Sequence, residues 1–186
     1  MGYSEEWKSA IERSERYGLA VPKQTGMAQQ RYLTKEIHDR FPDVVRDAFG
    51  NLGYEDVVAQ CMSIHYRLLP VMEDLLACPV FFTIGWVDDG TARGMFRFDE
   101  EFIQDKLQKP SATLGGQTNL HAWLTLPSME VIDVSLVTTI VVVQNLKKGH
   151  GGVLAGPADD FKGFSYKPML VGDDFLRKAG MLFEFN

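Results

Sequence analysis

The stretch that most constrains the fold is NLHAWLTLPSMEVIDVS, residues 119–135. Two short apolar-rich runs flank Pro127 and Ser128, the pattern of a half-buried antiparallel hairpin. His121 opens the first run and Asp133 lies near the end of the second. Side chains alternate along a strand, so His121, Trp123 and Thr125 share one face and Ala122, Leu124 and Leu126 the other. On the return strand Asp133 goes with Val131 and Met129, and Ile132 and Val134 go with Glu130. A two-residue loop of Pro127 and Ser128 sets Leu126 opposite Met129 and turns Asp133 to the wrong face. An odd loop, such as 126–128, sets His121 directly across from Asp133 with Cβ atoms about 5 Å apart. The residue pattern favours the odd loop, which gathers the aliphatic residues on one face and His, Trp and Asp on the other.

Around this hairpin the chain reads as helix, strand, helix, then consecutive strands. SEEWKSAIERSERYG is a solvent-facing helix with Ser4 as N-cap, a thin stripe of Trp7, Ile11 and Tyr17, and Gly18 as its stop. TKEIHDRFPDVVRDAFGNLGY is a helical stretch interrupted at Pro42 and closed by Gly50 and Gly53. In residues 54–78, Val58, Cys61, Ile64, Leu68, Met72 and Leu75 recur at helical spacing, with a kink or break expected at Pro70. PVFFTIGWV is a buried strand, FDEEFIQDKLQK a short amphipathic helix, and PSATLGGQTN a flexible loop leading to His121. TTIVVVQN, rich in β-branched residues, reads as a further strand. The tail from Lys147 reads as loop-rich, ending in a helix over 173–179 and a short strand. This order implies an α+β fold with an antiparallel sheet packed on a helix.

The 186 residues suffice for one domain with a hydrophobic core and fall short of two. Within that single domain, residues 1–53 form a helical N-terminal extension, 54–145 a catalytic-like core and 146–186 a loop-rich C-terminal segment. A net charge of −6 without a basic run disfavours a nucleic-acid partner. The longest apolar run, around 140–143, is too short to cross a bilayer, and the polar start lacks a signal-peptide stretch. Gly2 fails the myristoylation pattern because Glu6 stands where Ser or Thr is needed. A cytoplasmic location and no membrane partner are therefore expected. Two cysteines suit a reducing compartment and are too few for a disulfide scaffold.

Those cysteines lack metal-ligand spacing, so no metal or other cofactor is expected. His65 shares a helix face with Cys61, but two ligands do not make a metal site, and a structural role is the better reading. KKGHGG lacks the frame of a phosphate-binding loop and reads as a turn. Cys61 is the best nucleophile: a helix starting near Gln60 places it in the first turn, where backbone N–H groups and the macrodipole favour a thiolate. The same N–H groups, with Gln60, are candidate oxyanion donors. Cys78, before Pro79, is expected to be buried and inert. A His oriented by a carboxylate is what a catalytic base requires, which gives His121 and Asp133 a joint purpose. Trp123 is expected to wall the site, and GGQTN offers Gln117 or Asn119 as a polar substrate contact.

A Cys at a helix N-terminus, the strand TIGWV, then HAW, then an apolar strand ending VID resembles the transglutaminase-like branch of the papain-like cysteine protease superfamily. Arylamine N-acetyltransferases share the same Cys, His, Asp order. The match covers roughly residues 55–140 and rests on Cys61, His121, Trp123 and Asp133. Gln60 and Met62 stand where many members have Gly shortly before the Cys and Trp shortly after it. The resemblance implies a papain/transglutaminase-like core and a Cys61–His121–Asp133 triad acting on an amide through a thioester. The enzyme would be a hydrolase (protease, amidase or deamidase) or a transferase, with a protein, peptide or small amide as substrate. The alternative is an inactive interaction module that keeps the fold and has lost the chemistry.

Overall fold

In the computed structural model, residues 2–23, 28–50, 53, 56–58, 60–110 and 119–181 are described. Gln117, most of the loop before His121 and the short terminal strand expected from the sequence lie outside them. The hairpin forms from β2 (His121–Thr125) and β3 (Glu130–Asp133), paired antiparallel with Leu124 against Ile132 and Thr125 against Val131. Its loop is odd, as the residue pattern favours, but comprises residues 127–129. Leu126 N–H donates to Glu130 O, Met129 N–H donates to Leu126 O, and Met129 takes a φ of +61°. A three-residue loop ends with a left-handed residue, usually glycine, and here methionine accepts that strain. The ladder is therefore displaced by two residues from the one expected. Continued outward, it sets Trp123 across from Asp133 and His121 across from Ser135, so His121 does not directly oppose Asp133. The pleat still leaves all three on one face.

With β1 (Phe81–Asp88), β4 (Leu154–Pro157) and β5 (Ser165–Val171), the five strands make one sheet in the order β4-β3-β2-β1-β5. Every pairing resolved between named strands is antiparallel, and helices accompany the sheet, so the class is α+β. The chain divides into two compact units, one of residues 24–82 and 122–162, the other of residues 1–23, 83–121 and 163–186.

In the first of these, β4 (Leu154–Pro157) pairs with β3 from Glu130 against Pro157 to Asp133 against Leu154. Helix α2 (Lys35–Phe49) is capped by Thr34, whose hydroxyl accepts from the Ile37 N–H. Helix α3 (Cys61–Leu76) buries Cys61, Ile64, His65, Leu68 and Met72, the expected face. Both helices run unbroken through their prolines, Pro42, where interruption was expected, and Pro70, where a kink or break was expected. A proline removes one N–H and crowds one carbonyl, and in α3 the packed face of Ile64, Leu68 and Met72 outweighs that local cost. Residues 136–143 form helix α5 (Leu136–Val143), where a strand was expected. Asp133 Oδ1 accepts from the N–H of Ser135 at 2.9 Å and of Leu136 at 3.0 Å, starting a helical turn as β3 ends. That local capping overrides the strand preference of Val, Ile and Thr. Buried Glu130 accepts from Tyr32 N–H (2.8 Å), Leu33 N–H (3.4 Å) and Ser128 Oγ (2.5 Å), tying the irregular segment before α2 to the hairpin tip.

In the other unit, β1 (Phe81–Asp88) pairs from Thr83 onward with β5 (Ser165–Val171). The tail is thus not loop-rich: it contributes β4, β5 and α6 (Asp174–Lys178). Between the pairs Ile84–Leu170 and Gly85–Pro168 the register shifts, leaving Met169 as the extra residue of a bulge. Its carbonyl turns outward and accepts from Arg13 Nη1 at 2.9 Å. Arg13 belongs to α1 (Tyr3–Arg16), which lies along β5 and buries Tyr3, Trp7, Ala10, Ile11 and Ser14. This helix is part of a core, not the solvent-facing element expected. Ser14 Oγ accepts the Val171 N–H at 2.9 Å, and Lys167 pairs with Glu6, so α1 occupies hydrogen-bonding groups of an edge strand. Helix α4 (Glu100–Gln108) starts at Asp99, whose carboxylate accepts from Phe102 N–H. Its Glu100 meets Arg13, Arg16 and Tyr17. Among the described residues, no helix is long and apolar enough to cross a membrane.

Candidate functional site

Cys61 is the first residue of α3 and is 8% exposed, with Gln60 at the N-cap. The first N–H groups of a helix have no intrahelical acceptor and carry the positive end of its dipole. The Gln60 side chain does not cap the helix; its Oε1 accepts from Ser63 Oγ at 3.0 Å. That bond fixes the carboxamide so that its NH2, the donor end, is turned away from Ser63. Neither cysteine is in a disulfide. The Cys78 thiol is pushed up to about 11, by burial first and then by the charges of Glu73 and Glu130. It stays protonated through neutral pH, the inert character expected of it.

One turn into α3, His65 is fully buried and uses both ring nitrogens. Nδ1 lies 2.7 Å from Cys61 O, and Nε2 accepts the Val134 N–H at 3.1 Å. A carbonyl can only accept and a backbone N–H can only donate, so the proton sits on Nδ1 and the imidazole is neutral. Nε2 also lies 3.6 Å from Asp133 Oδ1. Asp133, itself fully buried, directs that same oxygen to Ser135 N–H, Ser135 Oγ and Leu136 N–H. The structure therefore brings together the Cys61 backbone, His65 and Asp133. The sequence carried a signal for half of this, the four-residue spacing of Cys61 and His65. Nothing in it marked the link from His65 to the end of β3.

His121 is 1% exposed and its ring stacks on Phe96, with centroids 5.1 Å apart and planes inclined by 21°. Phe96 has a φ of +60°, an unfavourable conformation for an aromatic residue, and such strain concentrates at sites that need a side chain aimed. The local scaffold holds it there. Met95 exchanges both backbone hydrogen bonds with Val87, Arg97 lies over the Trp86 ring at 4.8 Å, and Asn119 Nδ2 donates to Arg97 O at 2.9 Å. Trp123 is completely buried. Among the described residues no buried side-chain polar atom lacks a partner, and no cluster of His, Cys, Asp and Glu suits a metal ion.

No family, no curated protein and no solved structure matches the chain.

Proposed function

We propose that the protein is a thiol-dependent acyl-transfer enzyme with the papain/transglutaminase-like chemistry its sequence resembles. The observation that carries this reading is the position of Cys61 at the first residue of the sixteen-residue helix α3, where backbone N–H groups without an intrahelical acceptor can meet a developing oxyanion. Cys61 Sγ attacks the carbonyl carbon of an amide, and His121 takes the thiol proton. The negative charge that develops on the carbonyl oxygen is met by the backbone N–H of Cys61 and the carboxamide NH2 of Gln60. As the C–N bond breaks, His121 protonates the leaving amine, leaving a thioester on Cys61. Water then releases an acid, or a second amine forms a new amide, and either restores the thiol. Asp133 orients His121, as its place on the same hairpin face supports. Trp123 closes the apolar side of the site. Two cysteines outside any disulfide suit work in the reducing cytoplasm.

The test is the rate of alkylation of each cysteine by iodoacetamide against pH, read by peptide mass spectrometry. Cys61 is expected to react well below pH 8, and His121→Ala to abolish that reactivity. A Cys61 that titrates like an ordinary thiol near about 8.5, or stays inert, overturns the reading.

A second reading, a non-catalytic interaction module, draws on the near-complete burial of Cys61 and on exposed Val142, Val143, Leu146 and Val153. Cys61→Ala separates the two, abolishing turnover in an enzyme and leaving partner binding intact in a module.

A further inference from the structure

We propose that His65 is a positioning residue, which fixes the Cys61 end of α3 against the β3–α5 junction that bears Asp133. This rests on the reading of Cys61 as nucleophile and adds a residue outside the Cys61–His121–Asp133 triad. Three distances carry it: Nδ1 to Cys61 O at 2.7 Å, Nε2 to Val134 N at 3.1 Å, and Nε2 to Asp133 Oδ1 at 3.6 Å.

The hydrogen-bond arithmetic excludes the obvious role. A general base needs an accessible lone pair, and the only lone pair of this neutral ring, on Nε2, is occupied by the Val134 N–H. Being fully buried, the ring also lacks water to exchange a proton with. What remains is a rigid strut. It spans from the backbone of the nucleophile to the residue next to Asp133 with no rotatable bond between its two contacts, because both are made by one planar ring. A helix held only by apolar contacts can slide or rotate by fractions of an ångström, and misplacement of a reacting group by about 1 Å costs on the order of a hundredfold in rate.

The same geometry sets a limit on protonation. An imidazolium carries hydrogen on both nitrogens, so Nε2–H faces the Val134 N–H and must turn to Asp133 Oδ1. That oxygen already accepts three hydrogen bonds. The strut works only as the neutral Nδ1–H tautomer.

Two measurements test this. In protein carrying 15N-histidine, His65 is expected to show a protonated, pyrrole-type Nδ1 and a bare, pyridine-type Nε2, unchanged from pH 6 to 8. An imidazolium or an Nε2–H signal in that range overturns the inference. The second is the pH profile of Cys61 alkylation in His65→Leu, which loses both contacts, and His65→Gln, whose Oε1 can still accept from Val134. Met72→Ala, a buried truncation at the far end of the same helix, is the control for lost stability. All are compared at a temperature where circular dichroism shows each folded.

His65→Leu is expected to slow Cys61 alkylation at pH 7 by about tenfold or more, with partial recovery in His65→Gln and none of the effect in Met72→Ala. A reactive wild-type Cys61 whose profile is unmoved in His65→Leu, or moved equally by Met72→Ala, overturns the role of His65 alone. A wild-type Cys61 inert at every pH below 8 overturns the acyl-transfer reading itself.

Discussion

Replacing Asp133 by alanine should cost the protein more than the loss of one carboxylate suggests. A single oxygen, Oδ1, satisfies the backbone N–H groups of Ser135 and Leu136 at the start of α5 and also takes the Ser135 hydroxyl. All of this happens at full burial, so no water replaces the lost acceptor. Two orphaned amides at about 1.5 kcal/mol each put the loss for Asp133→Ala near 3 kcal/mol. Helix α5 has little to fall back on, since after Leu136 its residues, VTTIVVV, are all β-branched and have poor intrinsic helix propensity. Asp133→Asn keeps an acceptor oxygen of the same reach and should cost under about 1 kcal/mol. The pair separates hydrogen bonding from charge. Urea denaturation followed by circular dichroism reads the difference as a shift in midpoint at constant slope. In a melting curve the alanine variant should fall by roughly 6–12 °C, given about 2–4 °C per kcal/mol for a chain of this size. Equal losses in the two variants would refute the capping argument, because they assign the effect to charge. Losses under 0.5 kcal/mol in both, on the order of an ordinary surface change, would show that α5 does not depend on Asp133 at all.

Burial holds the Cys78 thiol up to about 11, so below pH 9 iodoacetamide should leave Cys78 unlabelled in the folded protein; rapid labelling there refutes its burial. Because the folded state raises this pKa, the associated stability is complete below the unfolded thiol's value and is lost as pH climbs from about 9 toward 11. Urea midpoints for wild type and Cys78→Ala should therefore converge or cross over that window, and parallel curves argue against it. Glu130→Ala should speed amide exchange at Tyr32 and Leu33 by about tenfold to a hundredfold, since it removes their charged acceptor; unchanged protection would mean the segment is held by something else. At Gly94, φ is +60° and a Cβ would lie 2.8 Å from the Trp86 ring. Gly94→Ala should therefore cost about 1–3 kcal/mol and shift tryptophan emission as Trp86 leaves Arg97; a wild-type melting curve and spectrum would refute the packing.

What the sequence disclosed follows its local signals. The run before Asp88, the helix begun by Asp99 and the start of α3 at Cys61 were legible because each has a bounded periodic pattern and a terminal signal. The parity of the hairpin was legible too, because alternation sorts the aliphatic residues from His, Trp and Asp by face, although both strands are buried on both faces. Its exact register was not. That depended on Met129 accepting a left-handed conformation, which composition does not favour. The strand assigned to 138–145 failed because propensity was read without the cap that precedes it: Asp133 lies five residues before the first Thr of that run, and its side chain decides the geometry. Strand β5 stayed hidden because Pro168 sits inside it. On an edge strand beside a bulge a proline does little harm, but neither circumstance can be read from SYKPMLV alone. Of the residues discussed, His121 stacks on Phe96 and His65 accepts from Val134, partners distant in sequence. No local pattern announces such pairs.

The bond from Val171 to the hydroxyl of Ser14 joins residues 157 positions apart. In a growing chain, α1 is made long before β5 and must wait for it before its tryptophan and isoleucine find their cover. Until then that apolar stripe is open to chaperones and to other nascent chains. Loop closure over such a span is slow, so this unit should complete late in folding. Variants that weaken the junction of α1 and β5 should therefore lower the yield of folded protein from synthesis more than they lower the stability of molecules already folded.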